Sequence, residues 1–430
     1  MGCVKSIVFA LALVINPIAC FAQDVLRGHG GPVRALAVRG EARELISGSF
    51  DNTVIVWDLD RSLAKRVLRF HDGPVNAVAV LPGGCLASGG DDRRIAIWCG
   101  NADKPARVLD GHDAPVTALT EVAGDLVSGS FDGTVRTWDY LGTRTPSISA
   151  SHKGAVSAIA KLLRLEGRSA GLTTGGADGT LTIAFQTSYE RMVLEAPVTA
   201  LAVAADEIIA ACSDGQLRFI SPGLKISALE VDQIPLASLA VSPDGKLIAT
   251  AGLRGGIAII DRASRKIIHR LTGPGLPVWS LAFDADNRTL ISGGADRVIR
   301  RWDAIAGTAL TSNLPERDLV AEAAASGERG AVVFRACQAC HTLSPDGGNR
   351  AGPTLHGVFG RRIGTAPGYG YSAALPAMQI VWGKDTIARL FEVGPTAYTP
   401  GTKMPEQTIT DPADRTALVD WLERVTAGQK

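Results

Sequence analysis

A unit of about 40 residues recurs seven times between residues 24 and 303, and this repeat restricts the fold more than any other feature of the chain. Three copies read ELISGSFDNTVIVWD (44–58), CLASGGDDRRIAIWC (85–99) and DLVSGSFDGTVRTWD (125–139). Each copy alternates apolar and polar residues on both sides of a turn rich in Gly, Asp and Asn, which predicts paired strands. A further alternating segment, such as VRALAV (33–38), precedes each copy, and a fourth strand fits between units. Seven sheets of short strands are therefore expected.

The repeats resemble the WD-repeat family, whose members fold as β-propellers with one blade per unit. That resemblance implies an all-β, seven-bladed propeller over residues 23–303. In the family, a His, a Ser or Thr, a turn Asp and a Trp are joined by hydrogen bonds within a blade. Three units of this chain carry all four residue types, which we interpret as structural rather than catalytic. They are His29, Ser47, Asp51 and Trp57, then His71, Ser88, Asp92 and Trp98, and finally His112, Ser128, Asp132 and Trp138.

The later units depart from the family pattern. Ala184, Ile220 and Ile260 stand at the Trp position, and Arg254 replaces a turn Asp. The alternation of apolar and polar residues continues through these units. The hydrogen-bonded tetrads are therefore in doubt there, whereas the number of blades is not.

Closure of the ring can be assigned to either of two segments. A propeller has to close, because an open ring would expose strand edges. QDVLRGH (23–29) matches ARVLDGH (106–112), so residues 23–28 are expected to supply the outer strand of the last blade. GTALTSN (307–313) competes for the same position, and the sequence leaves the choice open.

Two cysteines flank one of the predicted hairpins. Cys85 opens one strand and Cys99 ends its partner, so antiparallel pairing would place them nearly opposite each other. This position permits a disulfide in an oxidising compartment. Simple packing of two unbonded side chains is the alternative, and the sequence does not decide between them. Cys212 has no evident partner and is interpreted as packed.

Residues 1–22 have the pattern of a secretory signal peptide. Lys5 precedes an apolar core from Ile7 to Ile18, and Cys20 and Ala22 supply small residues before Gln23. The core is short for a membrane span, so we expect cleavage and export to the periplasm. Two alternatives would leave the protein membrane-anchored and facing the periplasm, namely an uncleaved signal or a lipid on Cys20.

The repeat stops after Asp303, and the character of the chain changes. Residues 304–317 are interpreted as a linker, and residues 318–337 are Ala-rich with a helical period. A small all-α domain is predicted over residues 318–430. Near its start lies the run Cys-Gln-Ala-Cys-His at residues 337–341.

Four kinds of site can contain this cluster, and haem attachment explains it best. A thioredoxin-like dithiol needs strands around it, which this region lacks. A zinc site needs two more Cys or His ligands, and only His356 follows. A disulfide alone would leave His341 unexplained. In a C-x-x-C-H haem site, Cys337 and Cys340 form thioethers with the haem, and His341 ligates its iron.

A second axial ligand is expected from a methionine. Only Met378 and Met404 of the four methionines lie in this region. Met404 lies on a loop rich in Pro and Gly that can fold across the haem, whereas Met378 has no such surroundings. A thioether opposite a histidine suits low-spin iron and raises its reduction potential.

Residues 318–430 resemble class I cytochromes c of the mitochondrial type. The resemblance is carried by AGPTLHGVFGRRIGTAPGYGYSAA (351–374), PGTKM (400–404) and RTALVDWLERV (415–425). It implies that His341 and Met404 are the axial ligands, and that the carbonyl of Pro353 accepts a hydrogen bond from His341. It also implies a helix crossing made by Gly330, Val333 or Phe334, and Trp421. Contacts to the haem propionates are implied for Arg361, Tyr371, Trp382 and Thr402.

The two domains together predict a periplasmic electron-transfer protein. One covalent haem c would carry single electrons, and the propeller would bind a protein partner; the redox partner proteins are not identified. The net charge of +1 gives no strong field, so nucleic-acid binding is not expected. Residues 318–430 contain eleven Lys or Arg and eleven Asp or Glu, so charge-steered docking is not expected either.

Two other functions stay open. The propeller could host the chemistry of an oxidoreductase, with the cytochrome domain relaying electrons, although the repeats contain no evident cofactor pattern. Alternatively, the haem could act as a sensor that regulates binding by a propeller scaffold. Six-coordinate His/Met iron would argue against a sensor, because it leaves no position for an external ligand. An electron carrier is favoured over a catalyst.

Overall fold

The described part of the chain covers the propeller and the C-terminal domain. The predicted signal peptide (1–22), with Cys20, lies outside it, as does the second half of the predicted linker. No helix within it is long and apolar enough to cross a membrane. The computed structural model describes residues 25–142, 144–165, 168–185, 188–310, 319–344 and 347–426.

Seven antiparallel sheets follow one another within the described residues, and each forms one blade. The first three are β2 (Val33–Arg39), β3 (Glu44–Ser49), β4 (Thr53–Asp58) and β5 (Leu63–Arg69); β6 (Val75–Val80), β7 (Leu86–Gly90), β8 (Ile95–Trp98) and β9 (Arg107–Leu109); and β10 (Val116–Val122), β11 (Asp125–Ser130), β12 (Thr134–Trp138) and β13 (Ser147–Ser151). The next three are β14 (Val156–Leu165), β15 (Arg168–Gly176), β16 (Thr180–Ala184) and β17 (Tyr189–Val193); β18 (Val198–Ala204), β19 (Glu207–Cys212), β20 (Gln216–Ser221) and β21 (Lys225–Glu230); and β22 (Leu236–Val241), β23 (Leu247–Gly252), β24 (Ile257–Asp261) and β25 (Lys266–Leu271). The seventh contains β26 (Val278–Phe283), β27 (Thr289–Gly294) and β28 (Val298–Asp303), together with β1 (Val25–Arg27) and β29 (Thr308–Ala309).

The blades form a closed ring. The first strand of each blade packs against the first strand of the next, and β2 of the first blade packs against β26 of the seventh. Apolar side chains fill the space between blades, as where Val33 and Leu45 meet Ile291 and Ile299. Burial of these side chains away from water is the main stabilising contribution to such an all-β ring. The prediction of a seven-bladed propeller is confirmed.

Both candidate segments pair with the outer edge of the last blade. Residue Leu26 of β1 lies opposite Ile299 of β28, and Ala309 of β29 lies opposite Trp302 of the same strand. The two short strands therefore share one edge, each covering a different part of β28. The residues of β29 fall within the range interpreted from the sequence as a linker, so part of that range pairs with the propeller.

The first tetrad fixes the turn and strands of its blade. Trp57 Nε1 donates to Ser47 Oγ at 2.8 Å, and the same oxygen lies 2.7 Å from His29 Nε2. The Ser47 hydroxyl therefore donates to Nε2, which leaves the His29 proton on Nδ1 to donate to Asp51 Oδ2 at 3.0 Å. Burial alone would raise the pKa of Asp51, but His29, Thr53 and the amide of Gly30 lower it to about 2.

The same network recurs in the neighbouring blades. The second and third tetrads have the same hydrogen bonds. In the fourth blade His152 still contacts Thr174 Oγ1 at 2.8 Å and Asp178 Oδ1 at 3.2 Å, although Ala184 replaces the tryptophan. A buried histidine that keeps its acceptor and donor partners explains why this blade folds like the others.

The second blade contains a disulfide between Cys85 and Cys99. The two residues flank the pair Leu86 and Trp98, which face each other on β7 and β8. Their Cα atoms are 4.3 Å apart, and 14 residues separate them in the chain. The structure therefore decides the question that the sequence left open.

Replacing Cys85 and Cys99 together with alanine is expected to destabilise the propeller by about 3 kcal/mol, because the disulfide restricts the unfolded chain. Urea unfolding followed by tryptophan fluorescence measures this loss. A thiol reductant should lower the midpoint of the wild-type protein to that of the double variant and leave the variant unchanged. Equal midpoints for the oxidised wild type and the variant would contradict the expectation.

The C-terminal domain is helical, as expected. The Ala-rich segment predicted as helical forms two helices, because Gly327 between them has a positive φ of 86°. The longest helix, at the end of the domain, packs against the second one. The helices are α1 (Leu319–Ala325), α2 (Arg329–Phe334), α3 (Ala374–Ala377), α4 (Lys384–Val393), α5 (Pro395–Tyr398) and α6 (Pro412–Thr426).

The crossing of α2 and α6 depends on a glycine and two aromatic rings. Gly330 lies so close to the carbonyl of Ala417 and to Trp421 that a side-chain carbon would not fit there. One turn further on, the rings of Phe334 and Trp421 have centroids 5.3 Å apart. This contact fixes the end of α2, from which the Cys-Gln-Ala-Cys-His run continues.

Candidate functional site

The Cys-Gln-Ala-Cys-His run forms a helical turn directly after α2. The amide of Cys337 donates to the carbonyl of Phe334 at 2.8 Å, and the amide of His341 donates to the carbonyl of Cys337 at 3.0 Å. Residues four positions apart in such a turn lie on the same side, so Cys337 and His341 face the same way. The carbonyl of Cys340 accepts a hydrogen bond from Gly352 at 2.7 Å, which ties the following loop to the turn.

The His341 ring is held in one orientation. Its Nδ1–H donates to the carbonyl of Pro353 at 2.7 Å, which leaves Nε2 with a free lone pair. Gly352 lies against the ring, where a side-chain carbon would overlap it. Burial lowers the pKa of His341, so the imidazole is neutral near pH 7. A neutral imidazole whose other nitrogen donates to a carbonyl is the form that binds a metal ion.

The two thiols of the turn are free; Cys337 is buried and Cys340 is half-buried. Cys337 and Cys340 are not bonded to each other. Burial raises the pKa of Cys337 to about 12 and that of Cys340 to about 11. Both groups are therefore protonated thiols, unlike the activated thiolate of a redox dithiol. Two thiols and one histidine on a single turn match the donor set of a covalent haem site.

A cavity of about 730 Å³ opens beside this turn. Its volume is in the range of cofactor pockets, and many of its walls are apolar, with Phe334, Leu390 and Leu422 among them. A flat, largely apolar ring with a few polar groups at its edge fits such a space. The nine residues predicted to bind haem all line this one cavity: Cys337, Cys340, His341, Pro353, Arg361, Tyr371, Trp382, Thr402 and Met404.

Met404 reaches the cavity from the loop between α5 and α6. Its amide donates to Thr402 Oγ1 at 3.1 Å, and Ser372 Oγ donates to the carbonyl of Gly401 at 2.7 Å. These bonds hold the loop across the cavity. The half-buried Met404 side chain packs against the helical core. Met378, the other methionine of the region, is not among the residues that line the cavity.

The predicted propionate contacts differ in how much of their hydrogen-bonding capacity is already used. Arg361 donates to the carbonyls of Thr354 at 2.6 Å and His356 at 3.1 Å, so its guanidinium also fixes the loop after the Cys-Gln-Ala-Cys-His turn. The backbone amide of Trp382 donates a hydrogen bond to the carbonyl of Arg361 at 2.9 Å. Burial raises the pKa of Tyr371, which keeps this phenol neutral.

The propeller supplies residues to the same cavity, which the sequence analysis did not predict. The amide of Ala351 donates to the carbonyl of Gly28 at 2.7 Å, and Lys403 Nζ lies 3.2 Å from a carboxylate oxygen of Asp72. Gly30 lies directly against Cys340, where any side chain would overlap the sulfur. The propeller residues that line the cavity belong to the first two blades: Gly30, Phe50, Asp51, Asn52, Thr53, Val67, Arg69, Phe70, His71, Asp103 and Lys104.

Tyr369 is a second residue that the sequence analysis missed. Its hydroxyl donates to the carbonyl of Ala351 at 2.7 Å, and its ring lies 4.6 Å from that of Tyr371. Burial raises the pKa of Tyr369 to about 12. The GYGY run that contains both tyrosines was the available indication, since alternate residues of such a run can face the same way.

The two parts of the chain together define a haem protein for electron transfer, in which a cytochrome c domain is fused to a WD-repeat propeller. The family model for cytochrome c matches residues 327–426. Cytochrome c of Sesamum indicum is 41% identical over 103 residues, which cover 24% of this chain and 89% of that protein. Cytochrome c of Cochliobolus lunatus is 42% identical over 100 residues, 23% of this chain and 92% of that protein. The chain therefore belongs to the cytochrome c family, and membership implies a covalently bound haem c with its iron.

The propeller also matches known proteins. The model of the WD domain, G-beta repeat, matches residues 21–58, 64–99, 103–139 and 265–303. These are the first three units and the last one, where the tryptophans are retained. The crystal structure of the WD40 β-propeller domain of Doa1 superposes with a TM-score of 0.58 and 22% identity, over 66% of this chain and 97% of that one. This likeness supports the fold alone.

Proposed function

We propose that the protein is a periplasmic electron carrier whose one haem c is attached through Cys337 and Cys340 and ligated by His341 and Met404. The observation that carries the proposal is that these four side chains line one largely apolar cavity, in which His341 has Nε2 free. The bound haem supplies iron that alternates between two oxidation states and so passes one electron at a time. A histidine and a soft thioether together favour a stable six-coordinate centre with a raised potential.

The protein residues contribute orientation and exclusion of water. Pro353 fixes the plane and basicity of His341 through the Nδ1 hydrogen bond. The loop bonds made by Thr402 and Ser372 hold Met404 in place without help from the haem. The apolar walls keep water out, and a low dielectric favours the less charged, reduced centre.

Export to the periplasm is part of the proposal. The signal-peptide pattern of residues 1–22 supports it. The Cys85–Cys99 disulfide also supports it, since such bonds persist in oxidising compartments. Retention of the signal, or a lipid on Cys20, would leave the same domains facing the periplasm from a membrane anchor.

We also assign the propeller the role of scaffold for a protein partner. It lines the haem cavity through its first two blades, so the blades farther along the ring can bind another protein. Large apolar side chains are well exposed there, with Phe131 60%, Leu141 75% and Tyr189 74% accessible. Where such side chains form a contiguous patch, they mark a protein interface.

The test of the proposed function is a redox titration of the exported full-length holoprotein. We expect one covalent haem per chain, a single one-electron transition and a mature chain that begins at Gln23 in the periplasmic fraction. A protein confined to the cytoplasm, or one without covalent haem, would contradict the proposal. A second prosthetic group in the purified protein would favour the alternative in which the propeller hosts oxidoreductase chemistry.

A further inference from the structure

One propeller arginine reaches the haem cavity with its charge unpaired. Arg69 is the last residue of β5, the outer strand of the first blade, and it lines the cavity. Its guanidinium carbon lies 4.5 Å from the centre of the Tyr369 ring in the cytochrome domain. Both terminal nitrogens, Nη1 and Nη2, are fully buried, and neither has a hydrogen-bond partner among the described residues. A buried guanidinium without an acceptor is unfavourable, so an acceptor is expected at this point.

The nearby side chains of the protein do not supply that acceptor. Asp51 already accepts hydrogen bonds from His29, from the amide of Gly30 and from Thr53. The hydroxyl of Tyr369 donates to the carbonyl of Ala351. The acceptor for Arg69 therefore has to come from what fills the cavity.

The chemistry of that occupant points to a carboxylate. A haem c is held at one edge by its thioethers, and its ionised groups are its two propionates. Arg361, the arginine that the cytochrome domain itself contributes, already gives two of its N–H groups to backbone carbonyls. A carboxylate matches the planar fork of an arginine, which can donate two parallel hydrogen bonds to it. Arg69 and Tyr371 line the same cavity, the latter at the position implied for a propionate contact.

We propose that Arg69 of the propeller pairs with a haem propionate, so that the haem is held by both domains. The inference rests on the haem occupying the cavity as the proposed function requires. The buried positive charge then favours the reduced centre, which carries one positive charge less than the oxidised one. It also keeps the propionate ionised at neutral pH. The propeller thus takes part in setting the reduction potential, besides its role as a scaffold.

The chain offers a closely matched control for this residue. Arg69 occurs in VLRFH (67–71), and Arg27 occurs in VLRGH (25–29) at the end of β1, the corresponding outer strand of the neighbouring blade. Arg27 is exposed and is not among the residues that line the cavity. The two arginines therefore share a local sequence and strand position but differ in their access to the haem.

The experiment is a redox titration of full-length holoproteins carrying Arg69→Leu, Arg69→Lys or Arg27→Leu. For Arg69→Leu we expect covalent haem and the methionine–iron absorption band to be retained. At a fixed ambient potential, its ratio of oxidised to reduced protein should rise about fifteenfold, as for loss of one unit charge roughly 10 Å from the iron at an effective dielectric constant near 20. Arg69→Lys should restore most of the wild-type ratio, and Arg27→Leu should not change it.

The pH dependence of the reduction potential distinguishes pairing of Arg69 with a propionate from a purely structural role of Arg69. Without Arg69 the pKa of the propionate rises, so the potential of Arg69→Leu should fall as pH rises through the neutral range, because the ionised carboxylate favours oxidised iron. The wild type should show no such step there. The other charged or titratable side chains around the same cavity, apart from the candidate haem ligands, are retained in every variant: Asp51, His71, Asp103, Lys104, Arg361, Tyr369, Tyr371 and Lys403.

The outcomes distinguish this inference from the proposed function. A wild-type protein without covalent haem would overturn both. A haem-loaded wild type with an Arg69→Leu variant that titrates like Arg27→Leu at every pH would overturn the role of Arg69 alone. Failure of Arg69→Leu to retain haem, with normal loading of Arg69→Lys, would support a charge requirement at this position.

Discussion

Replacing Cys337 and Cys340 together with alanine is expected to abolish covalent haem attachment completely. The two sulfurs lie on one turn beside the cavity, and Cys212, the other free cysteine of the described residues, is buried in the propeller. Haem staining of the denatured protein measures the attachment directly. The propeller should stay folded, because its blades and its disulfide do not depend on this turn.

The control for this variant is Cys212→Ala, which should retain full haem staining. Each single replacement, at Cys337 or at Cys340, should leave the haem attached through the remaining thioether, with an altered absorption spectrum. Haem that stays bound through denaturation in the double variant would show that the attachment lies elsewhere. Urea unfolding followed by tryptophan fluorescence shows whether the propeller of the double variant is intact, since five of the seven tryptophans lie in the propeller.

The propeller could be predicted from the sequence because its signals are local. His29 and Asp51 are 22 residues apart, and Ser47 and Trp57 are 10 apart, so each tetrad lies within one unit. Turn residues and alternating strands repeat with the same short period. The sharing of the last blade between β1 and β29 could not be predicted, because two segments of similar character were available for one edge.

The candidate haem-binding residues could be identified in the sequence for a related reason. Cys337, Cys340 and His341 are adjacent in the chain, and their spacing alone restricts the chemistry. The assignment of Met404 used the loop around it and the resemblance to cytochrome c. The position of Met404 beside the same cavity depends on the packing of α2 against α6, which brings the two ends of the domain together.

The sequence alone could not predict that the propeller contributes residues to the cavity. Lys403 and Asp72 are 331 residues apart, and Arg69 and Tyr369 belong to different domains. Such contacts depend on how two folded surfaces fit, which no periodicity within either domain encodes. Gly30 is an example. A loop glycine next to a tetrad histidine can be explained by its own blade, so the sequence gives no reason to expect its contact with Cys340.

The contact between the domains changes how a partner can act on the haem. Arg69, Asp51 and Phe70 of the propeller line the same cavity as the candidate haem ligands, so the propeller lies directly against the proposed haem site. A partner that binds the propeller and shifts Arg69 would change the potential without touching the haem. The matched arginine variants bear on this idea, because the potential should respond to Arg69 and not to Arg27.

Met404→Ala is expected to keep the covalent haem but to open one coordination position on the iron. The reduction potential should fall by on the order of 0.1 V or more, within the roughly 0.8 V range over which axial ligands set haem potentials. The reason is that a soft thioether favours the reduced state, and water or hydroxide in its place does not. Spectroelectrochemistry measures the potential, and the binding of carbon monoxide to the reduced protein measures the open position. Met378→Ala, which removes the methionine that does not line the cavity, should change neither property. An unchanged potential and spectrum in Met404→Ala would show that another group ligates the iron opposite His341.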